Sequence, residues 1–444
     1  MARTIIFIMN QLRNLYHFSL AWISALIYRH PSRKLVVIGI TGTKGKSTAV
    51  EILNSLLEAS GKKTAMLSSV YVSVAGRRKR NPTETTMPGR FFIQKFLRRA
   101  VDAGCTHAVI EVTSQGVIQY RHRFIDWDGG VFLNLHPEHI EAHGSFEAYR
   151  EAKLSFFRYV AQKKESWAVI NTSDPSATLF EKAMRNESQI IHASRERFVN
   201  EILGRKREAL GEWFDNDFNM EDAALTYAAA MKLDIPSPKA LEALKHFKGL
   251  PGRMEWVQKE PFGVVIDYAH TPDSLRAVYV ALREQIANRP ASMSRGEAGK
   301  SQIAKEINPS HKPLAISHKL ICVLGSAGGG RDKWKRPALG KIAGKYCDYI
   351  ILTDEDPYEE DPEEILEDIA KGISKDSRAH QEIIMDRREA IEKAVNIAQP
   401  GDIVVMTDKG SEEWIHVKGG KKIPWNERSV VQTAIDKSKE TTKL

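Results

Sequence analysis

An apolar run, Leu35 to Ile40, enters Gly42-Thr43-Lys44-Gly45-Lys46-Ser47-Thr48, and an apolar-periodic stretch, Ala49 to Leu57, leaves it. That succession predicts a strand, a glycine loop and a helix, the phosphate-binding unit of proteins that handle a nucleoside triphosphate. Gly42 and Gly45 let backbone N–H groups turn toward phosphate oxygens without a Cβ in the way. Lys46 brings a point charge to the outer phosphates, and the Ser47 hydroxyl is a ligand for Mg²⁺. A full pattern of this type has a glycine five residues before Gly45, where this chain has Ile40.

From residue 35 onward, short apolar runs alternate with helical patterns. Strands are predicted at 34–40, 64–68, 107–112, 130–133 and 167–170. A second series, at 263–266, 319–324, 349–352 and 402–406, follows Pro251-Gly252-Arg253. The fold class read from this alternation is α/β: a P-loop central ATPase domain with a mostly parallel sheet over 35–249, then a C-terminal Rossmann-like α/β domain over 250–444. Residues 288–318, rich in Ser, Lys, Pro and Gly and without apolar period, read as a flexible insert. The polar tail after Asp436 is expected to fray.

The net charge of +9 is carried by scattered Lys and Arg with no stacking-aromatic motif, which argues against nucleic acid and for an anionic substrate. Cys105, Cys322 and Cys347 have no metal-ligand spacing, two of them sit in apolar stretches, and the usage fits a reducing cytoplasm. Residues 4–28 are apolar but interrupted by Gln11, Arg13, Asn14 and His17, too polar for a membrane span. They read as a helix packed on the next domain. A peripheral membrane contact is the alternative, given Trp22, Tyr28, Arg29, His30 and Arg33.

Glu111 ends the apolar run Ala108 to Ile110, and in an open α/β sheet the ligand crevice lies beyond the carboxyl ends of the strands. Alone, such a Glu is more often a cap or a surface charge. The next strand runs into Asn134-Leu135-His136-Pro137-Glu138-His139, which invites a metal reading without deciding it. Together with Glu111-Val-Thr-Ser-Gln-Gly-Val-Ile-Gln-Tyr-Arg121, Glu151-Ala-Lys153, Pro251-Gly-Arg-Met-Glu255, Asp267-Tyr-Ala-His-Thr-Pro-Asp-Ser-Leu275, Gly328-Gly-Gly-Arg-Asp-Lys-Trp-Lys-Arg-Pro337 and Asp408-Lys-Gly-Ser-Glu412, these segments resemble the Mur ligases. Those are ATP-dependent amide-bond-forming enzymes of peptidoglycan synthesis, and the likeness is strongest to the tripeptide-synthetase branch, MurE.

The resemblance implies that ATP phosphorylates a substrate carboxylate and that a free amino acid attacks the acyl phosphate. It also implies the roles of matching positions. Lys46 and the loop N–H groups hold the triphosphate. Ser47 and Glu111 hold one Mg²⁺; His139 and a carbamylated Lys153 serve the second. Asn171 meets adenine, and Arg253 and Asp267 reach the nucleotide from the C-terminal domain. Thr85, Thr86, Ser114, Gln119 and Arg121 surround the muramoyl-peptide acceptor, while Arg331, Asp356, Tyr358 and Glu412 face the amino acid. Without the resemblance, Lys153 reads as a solvated helix lysine and Thr85-Thr86 as turn chemistry.

Two departures stand out. The segment Asp-Asn-Pro-Arg of enzymes that add meso-diaminopimelate is Glu355-Asp356-Pro357-Tyr358 here, and Tyr cannot copy a bidentate guanidinium clamp, which leans the choice toward lysine. Residues 1–34 read as a remnant of the UDP-binding domain that the family carries before the P-loop. The expected protein is a cytoplasmic monomer that acts on a nucleotide-sugar peptide. Competing readings are a Mur-like ligase on another carboxylate, as in folylpolyglutamate or cyanophycin synthesis, and a nucleotide-binding pseudo-enzyme.

Overall fold

The computed structural model describes residues 2–83, 85–138, 140–184, 186–204, 210–287, 318–330 and 332–441. It divides into two compact units, Met1–Lys248 and Gly249–Leu444. The first opens with a helix over Ala2–Ile27 and is built on eight strands: β1 (Val36–Thr41), β2 (Thr64–Leu67), β3 (Tyr71–Val74), β4 (Arg77–Arg80), β5 (His107–Glu111), β6 (Gly129–Phe132), β7 (Trp167–Asn171) and β8 (Ile190–Ala193). Their order is β4-β3-β2-β5-β1-β6-β7-β8. All neighbours run parallel except β2–β3 and β3–β4. The central strands are Val- and Ile-rich and buried on both faces, as a parallel sheet covered by helices requires.

Register then places the chemistry. Ile40 pairs with Glu111 and Thr41 with Phe132, so the loop after β1, the last residue of β5 and the segment after β6 emerge side by side at the carboxyl edge. One face of the sheet packs on Trp127, Phe132, Phe156, Phe157 and Phe180; the other packs on the P-loop helix, Lys46–Ala59, and the helix Asp217–Lys232 behind it. Gly39 allows the first layer to close, because a Cβ there would lie 2.4 Å from the Phe156 ring.

The second unit has a six-stranded sheet of order β13-β12-β11-β14-β10-β9. Its strands are β9 (Glu255–Gln258), β10 (Gly263–Ile266), β11 (Leu320–Leu324), β12 (Tyr349–Leu352), β13 (His380–Ile383) and β14 (Ile403–Met406), and only β9 is antiparallel. A hairpin of β15 (Trp414–Val417) and β16 (Lys421–Pro424) follows.

The apolar strands of the sequence reading are present within one or two residues at each end, and the α/β class with a mostly parallel first sheet and a second sheet holds. The strands that were not foreseen lie chiefly at sheet edges. β4 is Arg-Arg-Lys-Arg, exposed and without alternation, and exists because β3 supplies its ladder. The tail does not fray at Asp436: the last helix, Glu427–Thr441, continues past it and buries Val430, Val431, Ala434 and Ile435. Of the 288–318 insert, residues 288–317 lie outside the described residues. Cys322 and Cys347 form a disulfide, which the spacing did not announce; β11 and the end of the helix Lys335–Tyr346 bring them together, and Cys105 is a buried free thiol.

Arg387 and Glu427 fasten the last helix to this unit. The guanidinium donates to both Glu427 oxygens (2.6 and 3.1 Å) and to the Thr407 carbonyl (2.7 Å), and the Trp425 indole also donates to Glu427 (2.6 Å). Both charged side chains are almost fully buried. Arg387→Met would leave a buried carboxylate without its cation, and urea denaturation of the full chain should show a loss of about 3–5 kcal/mol. A loss below about 1 kcal/mol, the range of exposed pairs, would contradict that assignment.

Candidate active site

Gly45 caps the P-loop helix in the left-handed region (φ +80°), and a Cβ there would collide with the Asp222 carboxylate at 2.4 Å. The loop is held from outside by Asn134, just after β6. Its side-chain oxygen accepts from the backbone N–H of Thr43 (3.1 Å) and Lys44 (2.9 Å), while its carbonyl accepts a second bond from Thr43 (2.9 Å). The Thr43 hydroxyl accepts from the His136 N–H (2.9 Å) and meets the Tyr149 hydroxyl at 3.0 Å. The loop is therefore braced on its outer side.

Two lysines turn into it. Lys46 Nζ donates to the Thr43 carbonyl (2.8 Å), and Lys153 Nζ, 2% exposed on the helix Phe146–Val160, donates to the Gly42 carbonyl (2.7 Å). Burial, then the neighbouring Lys46, pushes the Lys153 pKa well below the ordinary lysine range, against the pull of Glu138 and Glu111. Lys153 is no solvated helix lysine, and its environment favours the neutral, nucleophilic amine. Asp222 is pushed the other way by burial and by Glu221, with Lys46 opposing.

Ser47 Oγ donates to Glu111 Oε2 (2.9 Å), which also accepts from the Ser69 N–H (2.8 Å) and hydroxyl (3.0 Å). A buried hydroxyl and carboxylate in contact are hard oxygen donors, the set a Mg²⁺-sized cation takes beside phosphate, so the residues fit that ion. Thr86 continues the chain through Ser69 (2.8 Å). Thr85 is exposed, its hydroxyl donates to Thr83, and its carbonyl accepts from the Asn81 side chain (3.0 Å).

Ser114 contacts His143 (3.1 Å). Arg121 donates twice to the Gln119 side chain (3.1 and 2.6 Å) and to the Met87 carbonyl, while Arg90 donates to the Gln119 carbonyl (2.5 Å). Burial works against the charge of both arginines, and Arg121 adds to that on Arg90, whose Nε is buried without a partner. Two crowded guanidinium groups make an anion-seeking corner. Asn171 ends β7 with its amide committed to the Leu133 carbonyl (2.7 Å) and the Ser173 N–H (2.9 Å). His139 and Arg331 lie outside the described residues.

In the second unit, the Arg253 guanidinium sits 4.1 Å over the Tyr268 ring, and buried Asp267 accepts from the Met254 and Ala269 N–H groups (both 2.7 Å). A separate acidic cluster gathers Glu355, Asp356 and Glu412 around fully buried Lys409, which donates to Asp356 (2.9 Å) and Glu412 (2.7 Å). Burial opposes the charge of Lys409, yet Glu412, Glu355 and Asp356 hold its pKa above the usual range. Burial, then Asp408, drives Glu355 up, and its Oε2 has no partner. Tyr358 stacks on His416 (5.0 Å, 18°), away from any clamp geometry.

Sequence reasoning missed Asn134, Arg90, Asp222 and Lys409 as site residues. Asn134 directly follows a strand, and Lys409 stands in the segment Asp408 to Glu412, which were the available signals. Arg90 and Asp222 arrive from separate helices and carried none.

The comparisons agree with this geometry. The Mur ligase middle domain matches residues 40–214, and the Mur ligase glutamate ligase domain matches 252–309 and 303–410. The UDP-N-acetylmuramoyl-L-alanyl-D-glutamate–2,6-diaminopimelate ligase of Syntrophomonas wolfei is 33% identical over 418 residues, covering 90% of this chain and 78% of its own length. The UDP-N-acetylmuramyl-tripeptide synthetase of Roseiflexus is 31% identical, covering 94% and 82%. Among solved structures, Mycobacterium tuberculosis folylpolyglutamate synthase shares the fold at TM-score 0.60 and 14% identity, with 91% of this chain and 95% of that one covered. A P-loop braced at the carboxyl edge of a parallel sheet, a second α/β unit and these matches have one reading: the chain belongs to the Mur ligase family.

Proposed function

We propose that this chain is an ATP-dependent ligase that joins a free amino acid to a UDP-N-acetylmuramoyl-L-alanyl-D-glutamate-like acceptor in the cytoplasm, in peptidoglycan synthesis. The observation that carries the reading is the convergence of Lys46, Ser47, Glu111 and Lys153 on one loop. Thr43, Lys44, Gly45 and Thr48 complete the phosphate cradle, and Asn171, Arg253 and Asp267 are assigned to the nucleotide. Ser47 and Glu111 would hold Mg²⁺; His139 and Lys153 are assigned to a second ion, Lys153 as its carbamate. When bound, these ions would neutralise phosphate charge.

The chain's own residues do the remaining work. Lys46 meets the charge that builds on the transferred phosphoryl group, and the N–H groups at the start of the P-loop helix face it from a loop that Asn134 already holds in place. The neutral Lys153 amine can add CO₂ through its nitrogen lone pair and lose one N–H proton to solvent, which places a carbamate anion facing Lys46. Arg121 and Arg90, with Thr86, Ser114 and Gln119, orient the acceptor's carboxylates. One acceptor carboxylate oxygen takes the γ-phosphoryl group of ATP and ADP leaves; the neutral amine of the amino acid then attacks the acyl carbon, phosphate departs, and the amide nitrogen loses a proton.

The amino-acid end is assigned to Arg331, Asp356, Tyr358 and Glu412. Where enzymes that add meso-diaminopimelate carry an Arg this chain carries Tyr358, and among the described residues the cluster's cation, Lys409, is already paired with Asp356 and Glu412. Loss of that guanidinium removes the partner of a second carboxylate, so an amino acid ending in an ammonium, lysine, is the proposed substrate.

Lys46→Ala should abolish acceptor-dependent ATP hydrolysis. Asn134→Ala, which removes three side-chain hydrogen bonds to the loop, should raise the KM for ATP by roughly tenfold; unchanged turnover in Lys46→Ala would refute the site. Incubation with UDP-N-acetylmuramoyl-L-alanyl-D-glutamate, ATP, Mg²⁺ and equimolar lysine, ornithine and meso-diaminopimelate, followed by product mass analysis, should return the lysine adduct in excess. Equal yields would contradict the assigned selectivity.

A further inference from the structure

The first helix, Ala2–Ile27, is oriented against the usual rule. The helix packs on the helix Arg90–Asp102, and its buried side chains are small: Ala21, Ser24 and Ala25, with Phe18 reaching inward to Tyr120 and Phe124. The large apolar side chains point away from the unit: Leu12 and Leu15 are 61% exposed, and Trp22, Ile23, Leu26 and Ile27 between 39% and 59%. Their spacing of three and four residues sets them on one continuous outer stripe. A core-seeking amphipathic helix would bury this stripe, and an exposed stripe of this size marks an interaction face.

Charge indicates what covers it. Residues 1–34 contain Arg3, Arg13, Arg29, Arg33 and Lys34 and not one Asp or Glu. A second copy of the chain would bring the same cations against these, whereas an anionic surface complements them. No helix among the described residues is long and apolar enough to cross a membrane, so the helix would lie in the surface plane.

We propose that the outer stripe of this helix docks the protein on an anionic lipid bilayer, with Leu12, Leu15, Trp22, Ile23, Leu26 and Ile27 entering the headgroup boundary and the arginines meeting lipid phosphates. The consequence reaches the site. Phe18 of the same helix packs edge-on against Tyr120 (6.1 Å) and Phe124 (5.1 Å), so docking brings the loop that carries Gln119 and Arg121 to the membrane surface.

The test is co-sedimentation of the full chain with vesicles of phosphatidylcholine, with and without about one third phosphatidylglycerol. The chain should pellet with the anionic vesicles and not with the neutral ones, and rising salt should release it. Trp22→Glu with Ile23→Glu should lower the partition coefficient by at least about tenfold, as should Arg13→Glu with Arg29→Glu. All four side chains are exposed, so the melting temperature and ATP turnover should stay at parental values. Failure to pellet with either vesicle, or equal pelleting with both, would overturn the proposal. So would a solution dimer that the Trp22/Ile23 variant disperses, which would assign the stripe to a second copy.

Discussion

Everything at the candidate site follows from two lysines that point at the same short loop. Lys46 and Lys153 donate to adjacent carbonyls, Thr43 and Gly42, with Lys46 half-buried and Lys153 buried. Two ammonium groups cannot both stay charged there at low cost, and the carboxylates Glu111, Glu138 and Asp222 answer one of them at most, since Asp222 is itself driven toward its neutral form. Burial and the neighbouring Lys46 both work against the Lys153 charge. A buried amine whose charge is disfavoured beside hard oxygen donors is the physical motive for the carbamate proposed on Lys153.

The second constraint is the sheet register. Because β1, β5 and β6 run parallel and in step, Gly42, Glu111 and Asn134 leave the sheet together. Asn134 then spends both its backbone and side-chain oxygens on the loop, which lets Gly45 approach Asp222 without collapse. The loop lacks the first glycine of the full pattern, and the bracing from β6 does the positioning that a longer glycine loop would share out.

Much of this was legible in the sequence because strand, glycine loop and helix are local signals, and because a carboxylate at a strand end has a predictable direction. Ser47 and Glu111, which lie far apart in the chain, are joined by a hydrogen bond (2.9 Å). What was hidden depends on long-range packing. Lys153 reads as solvated until the helix Phe146–Val160 is placed, and Lys409 sits in a polar run that gives no hint of full burial. Tyr358 could be read as a lost clamp, but its stacking on His416 could not, since β15 must first pair with β16. The first helix was half legible: its apolar content was plain, while the choice of small residues for the packed face appears only in three dimensions.

The central claim is that this site activates a carboxylate by phosphorylation. It is tested most directly by supplying an acceptor whose carboxylates carry ¹⁸O and following the label by mass spectrometry of the released phosphate. One ¹⁸O per phosphate is the predicted result, because the oxygen that bridges acyl carbon and phosphorus leaves with phosphorus. Phosphate free of label, with amide formed, would contradict the account.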